Sequence, residues 1–101
     1  MKQILVLYDT KPDHSEENAR LIGGVFDELR AKAPDGLRYL VLRYGAGRFL
    51  HFAQQQDNAP SLPDFASFRL FQKGVSERWV ARPEVNEPII VGSYGMTPDG
   101  A

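Results

Sequence analysis

The 101-residue chain predicts a single α+β domain of order strand-helix-strand-strand-helix-strand, with both helices on one face of a four-stranded antiparallel sheet. Three observations carry this. Two apolar stretches have helical period, at 22–33 and 65–75. Four β-branched or aliphatic runs alternate with them. The two middle runs are joined by only Gly45-Ala46-Gly47.

The first run, Ile4 to Tyr8, ends in the turn-rich Asp9-Thr10-Lys11-Pro12-Asp13 and reads as strand then loop. Asp13 and Glu16 have capping-box spacing, with Ser15 as an alternative cap, and Glu16 and Glu17 place negative charge where a helix dipole favours it. Ile22, Val25, Phe26, Leu29 and Ala33 then fall at helical spacing until Pro34-Asp35-Gly36 stops the helix. Gly23-Gly24 interrupts it at a cost of about 0.8–1 kcal/mol per glycine, which predicts close approach of helix to sheet or a kink beside a cavity.

Leu37–Tyr44 and Arg48–Gln55 form a hairpin. Ser61 with Asp64 again has capping-box spacing, and Pro63 suits a first turn. Phe65, Phe68, Leu70, Phe71 and Val75 make the second helix, broken near Gly74 and continued briefly through Trp79. After Pro83 and Pro88, Ile89–Tyr94 is expected as the last strand. The domain is expected over 1–95, with 96–101 as a frayed tail.

The faces of these strands predict an assembly. Side chains alternate, so Ile4, Val6 and Tyr8 oppose Leu5 and Leu7. Leu40, Leu42 and Tyr44 oppose Leu37, Tyr39 and Val41, and Phe49, His51 and Ala53 oppose Leu50 and Phe52. Neither face is polar. Two helices cover one face, and the other would expose more apolar surface than the roughly 300–600 Å² patch usual for a monomer. A second copy of the same face is the economical cover, which makes a homodimer the expectation.

Composition excludes several classes. There are no cysteines, so disulfides, thiolate metal sites and a cysteine nucleophile are out. Twelve basic and thirteen acidic residues leave a net charge of −1, without the basic excess that phosphate binding requires, so no nucleic-acid partner is expected. No run approaches the roughly 18 apolar residues of a membrane span, and the location expected by default is the cytoplasm. An RNA-recognition domain shares the element order. However, the residues before Phe49 and Phe52 do not fit its third-strand aromatic pattern.

From Ile4 to Tyr94 the chain resembles the dimeric α+β barrel superfamily of ferredoxin-like fold, in its antibiotic biosynthesis monooxygenase-like branch. The resemblance rests on element order, on Phe65-Ala66-Ser67-Phe68-Arg69-Leu70-Phe71 in the second helix, and on the closing Ile89-Ile90-Val91-Gly92-Ser93-Tyr94. It implies paired sheets, a small apolar cavity between sheet and helices, and a relationship to oxygenases of phenols and quinones that use no cofactor. Haem-degrading relatives carry a helix histidine, and Ser61 to Trp79 contains none. No metal and no cofactor is therefore expected.

His51 is the candidate catalytic residue, a general base for a phenolic proton, against the alternative of a histidine packed in a dimer interface. Phe65, Phe68, Phe71 and Trp79 are candidate pocket-lining residues for a small aromatic ligand, against a core stripe at helical spacing. His14 reads as surface loop. Arg38, Arg43 and Arg48 could meet an anion or merely guard strand edges, and Tyr8, Tyr39, Tyr44 and Tyr94 read as interface packing. The resulting reading is a dimeric barrel that binds a small apolar or aromatic molecule as a monooxygenase-like enzyme. Its rival is a dimer that binds or builds without catalysis.

Overall fold

A computed structural model describes residues 1–96; the expected tail from 97 onward lies outside the described residues. Strands β1 (Lys2–Asp9), β2 (Leu37–Tyr44), β3 (Arg48–Gln55) and β4 (Glu84–Asn86) form one antiparallel sheet in the order β2-β3-β1-β4. Helices α1 (Ser15–Lys32) and α2 (Ala66–Gln72) pack against it. This is the ferredoxin-like arrangement expected.

Register fixes the faces. Tyr8 pairs with Phe49, Val6 with His51 and Ile4 with Ala53, while Val41 and Tyr39 oppose His51 and Ala53 from the other side. These residues look toward the helices. There Val25, Phe49 and Phe71 are the most deeply buried apolar side chains of a cluster that also holds Tyr8, Ile22, Phe65 and Phe68. On the opposite face Leu40, Leu42 and Tyr44 are exposed, as an uncovered apolar sheet requires.

The helix ends depart from expectation at one terminus. No side chain caps α1. A 3₁₀ turn over Pro12–His14 leads into it, and Ser15 turns inward to bond Thr10 and the Lys11 carbonyl. Packing has recruited the hydroxyl that would otherwise cap. The C-terminus closes on Ala33, left-handed at φ 45° because Pro34 forbids another helical turn, with its N–H on the Leu29 carbonyl. Before α2, Asp64 accepts the Ser61 N–H at 2.9 Å and sets a 3₁₀ turn over Leu62–Asp64. The orphan N–H of Ser67 in the first turn of α2 is met by Glu28 of α1 at 2.8 Å, so one carboxylate both caps α2 and ties the helices together. Bonds from Lys32 and from Ser67 hold the Glu28 carboxyl at about 2.

Two sequence expectations are corrected. The final strand is Glu84–Asn86, paired with Leu5–Leu7, and Ile89–Tyr94 forms no strand among the described residues. Pro88 supplies no N–H to continue the ladder, and the segment leaves the sheet edge as an arm with Val91 fully exposed and Tyr94 97 % exposed. Gly23 and Gly24 do not mark close packing: a Cβ at either would meet nothing within 4 Å, because both lie on the solvent side of α1. The glycine that does mark close approach is Gly47 of the hairpin turn. At φ 144° its backbone lies against Thr10 and Ser15, where a Cβ would stand 2.8 Å from the Ser15 hydroxyl.

Candidate functional site

Between sheet and helices lies a half-open apolar cavity of about 190 Å³. Val6, Tyr8, Tyr39 and His51 form its floor, and Phe68, Phe71, Val75 and Trp79 form its wall. Of the four candidate lining residues, Phe68, Phe71 and Trp79 are brought together here. Phe65 is buried in the core but does not line the cavity; the Lys32 ammonium lies over its ring. The bend at Gly74 (φ 68°) carries the chain from α2 into a 3₁₀ turn over Val75–Arg78. That turn docks on the end of β1 through Lys11 N to Arg78 O at 2.9 Å and Val80 N to Asp9 O at 2.8 Å. This short extension of the sheet is what places Arg78 and Trp79.

His51 is on the helix-covered face, not the open one, and is buried between two tyrosines. The Tyr8 hydroxyl lies 2.7 Å from Nε2 and the Tyr39 hydroxyl 2.5 Å from Nδ1. The rings themselves stack: Tyr8 on Phe49 at 5.6 Å and on His51 at 5.3 Å, and Tyr39 on Phe26 at 5.1 Å. Burial in this apolar shell pushes His51 down to about 4, so the imidazole is neutral near pH 7. Burial likewise raises Tyr8 to about 12 and raises Tyr39 further above the ordinary phenol range. Each group is thereby held in its uncharged form.

The network continues inward. Asn18 of α1, completely buried, donates through Nδ2 to the Tyr8 hydroxyl at 2.9 Å. Its Oδ1 accepts from Arg78 Nε at 2.9 Å, and Arg78 Nη2 donates to the Phe71 carbonyl at 2.6 Å. Arg78 is 6 % exposed and makes no ion pair among the described residues. Its guanidinium lies 5.2 Å from the Phe71 ring centroid, and burial lowers its pKa. A buried cation without a carboxylate is costly, and here carbonyl oxygens and a ring face carry the charge.

The structure thus joins Arg78, Asn18, Tyr8, His51 and Tyr39 in one chain of hydrogen bonds ending at the cavity. Only His51 was singled out from sequence for chemistry. Asn18 had a signal: it extends the buried stripe of Ile22, Val25 and Leu29 by one helical step, and a polar residue there needs a partner. Arg78 had none, since nothing in a short polar turn before Trp79 distinguishes an inward arginine from a solvated one. Two of the three arginines that the sequence offers to an anion are engaged elsewhere: Arg43 binds Glu16 at 2.9 Å and Arg48 binds Asp9 at 3.0 Å, both toward solvent. Among the described residues no group of acidic, histidine or cysteine side chains has metal-site geometry, and no helix is long and apolar enough to cross a membrane.

No protein-family model and no curated protein matches the chain. Solved structures do. A protein of Nitrosomonas europaea provisionally named an antibiotic biosynthesis monooxygenase superposes with a TM-score of 0.73 at 14% identity, over 91% of this chain and 100% of that one. The chain has the antibiotic biosynthesis monooxygenase-like fold. A Pseudomonas aeruginosa protein matches with a TM-score of 0.68 at 16% identity, over 89% of this chain and 93% of its own. A Mycobacterium tuberculosis protein gives 0.65 at 17%, over 90% and 97%. At such identities the likeness concerns backbone architecture; the Arg78-to-Tyr39 chain is read from this protein's own side chains.

Proposed function

We propose that this protein is a homodimeric, monooxygenase-like binder of a small aromatic molecule, acting in the cytoplasm without a cofactor. The observation that carries the proposal is the cavity: apolar walls around one buried polar group, His51, held by two tyrosine hydroxyls. An apolar cavity of about 150 Å³ is large enough for benzene, so 190 Å³ suits a single ring with a small substituent. Rings at the wall offer stacking of about 0.5–1.5 kcal/mol per pair.

His51 is the proposed centre of any chemistry, with a specific constraint. Both of its nitrogens are engaged, so a proton moving between ligand and imidazole would pass through a tyrosine hydroxyl. With its pKa near 4, His51 is a weak base toward a phenol of ordinary pKa near 10. This favours the second reading, a binder without turnover. The dimer is supported by the exposed face of Leu40, Leu42 and Tyr44 together with the exposed Ile89 and Val91 of the segment that follows β4.

The test has two arms. The chain has one tryptophan, Trp79, and it lines the cavity, so its fluorescence should respond to phenol or benzene as each saturates. Oxygen consumption with a series of single-ring phenols, lost in His51→Ala, would establish the enzyme; saturable binding without oxygen uptake would establish the binder. Absence of any saturable fluorescence change would overturn both.

A further inference from the structure

The direction of the hydrogen-bond chain can be worked out from its fixed end. An arginine can only donate, so the Asn18 oxygen must face Arg78 and the Asn18 amino group must face Tyr8. The Tyr8 oxygen therefore accepts from Asn18. Neutral His51 carries one N–H and must choose between its two tyrosines. If Nε2 held the proton, Tyr8 would accept twice, and its own hydroxyl proton would be stranded in a buried residue with no further acceptor among the described residues. With the proton on Nδ1, Tyr8 donates to Nε2, Nδ1 donates to the Tyr39 oxygen, and every donor of the chain but the Tyr39 hydroxyl is used. One proton is left over. It is that of Tyr39, which is less buried than Tyr8 and lines the cavity.

A second donor stands unused at the same place. The indole N–H of Trp79 is buried and has no hydrogen-bond partner among the described residues, and Trp79 lines the same cavity. Two spare donors belong to residues of this lining, whose other polar side chains are Tyr8, His51 and the exposed Gln72. A buried donor left unmade costs free energy, and a ligand that offers an acceptor recovers it.

We propose that Tyr39 and Trp79 are the specificity-determining residues of the cavity, selecting a single-ring aromatic ligand that presents an acceptor oxygen, and that Arg78, through Asn18, Tyr8 and His51, is the positioning residue that turns the Tyr39 hydroxyl proton toward that ligand. The inference rests on the aromatic-binding reading above and adds the polarity the ligand must have. All four hydrogen bonds from Arg78 to Tyr39 run outward from the cation, so each donor is polarised in the same sense.

The experiment compares acetophenone with α-methylstyrene, which replaces the carbonyl oxygen by a methylene of similar shape. Affinities are read from Trp79 fluorescence, and the single indole N–H resonance is followed by ¹H–¹⁵N NMR. In Tyr39→Phe, acetophenone should weaken about tenfold while α-methylstyrene changes less than about twofold, the scale of one or two neutral hydrogen bonds. In the wild type the indole resonance should move downfield with acetophenone and not with α-methylstyrene. Tyr8→Phe keeps both ligand-facing groups but frees His51 to hold its proton on Nε2. Tyr39 then no longer has to point outward, and the preference for acetophenone should narrow with Tyr39 still in place; a packing role for Tyr8 would weaken both probes alike. If neither variant alters the ratio of affinities, or the indole resonance ignores acetophenone, the inference is overturned while the aromatic-binding reading stands. If neither probe binds the wild type, both fall.

Discussion

Replacing His51 by glutamine should remove a specific part of the protein's acid sensitivity. His51 lies at about 4 in the folded chain, against 6.5 for an ordinary histidine, because burial disfavours the imidazolium. As pH falls below 6.5, the unfolded chain takes up a proton that the folded chain refuses. The stability associated with a neutral His51 is therefore complete above pH 6.5 and lost progressively down to about 4. Integrated over that window, about 2.5 pH units at 1.36 kcal/mol each, less the part already titrated in the folded state, gives about 3 kcal/mol. Glutamine can still donate to one tyrosine and accept from the other, but it does not titrate. Urea unfolding of both proteins at fixed concentration, from pH 7.5 to 4.0, yields the wild-type-minus-variant stability at each pH, so that carboxylate titrations common to both cancel. That difference should fall by about 3 kcal/mol, a midpoint change on the order of 1–3 M relative to the variant. A difference that stays flat between pH 6.5 and 4 would refute the reasoning: His51 would then be open to water or to a counter-charge in the fold.

Other perturbations have equally definite outcomes. Phe49→Ala removes a ring that is 2 % exposed and stacked on Tyr8, and should cost about 3–5 kcal/mol in urea unfolding. Gly23→Ala should stabilise by about 0.5–1 kcal/mol, since helix propensity improves and nothing is met. Gly47→Ala should destabilise by more than that, because φ 144° and the Ser15 hydroxyl both oppose a Cβ; equal thermal midpoints for the two alanine variants would contradict the packing described. Val91→Asp, on the exposed arm, should leave far-ultraviolet dichroism unchanged and weaken the proposed dimer at least about tenfold by light scattering on dilution, since apolar area is lost and a charge is desolvated. A dimer of undiminished strength would place the arm outside the interface.

The hairpin strands were legible to the residue, because alternation of large apolar side chains on either side of Gly45-Ala46-Gly47 allows one register. Helix α1 was legible in its apolar stripe, and α2 in Phe65, Phe68 and Phe71 with the break at Gly74. The last strand was not. Ile89-Ile90-Val91 has high β propensity, whereas Glu84-Val85-Asn86 does not, yet the latter pairs with β1. Strand pairing depends on where the chain returns to the sheet edge, and propensity does not encode that position. His51 stood out because titratable residues are rare on apolar strands. Tyr8 and Tyr39 were read as interface residues, since a tyrosine on a strand shows its ring in the sequence and not the partner of its hydroxyl.

By itself, then, the sequence determined the element order, the two apolar sheet faces and the residue types at the core, because these follow from local periodicity and turn chemistry. What the tertiary structure decided was which polar groups meet. Arg78 and Asn18 are 60 positions apart, and Tyr8 and His51 are 43 apart. Their hydrogen bonds and the neutrality of His51 arise only when helix, sheet and the turn before Trp79 close around one apolar cavity.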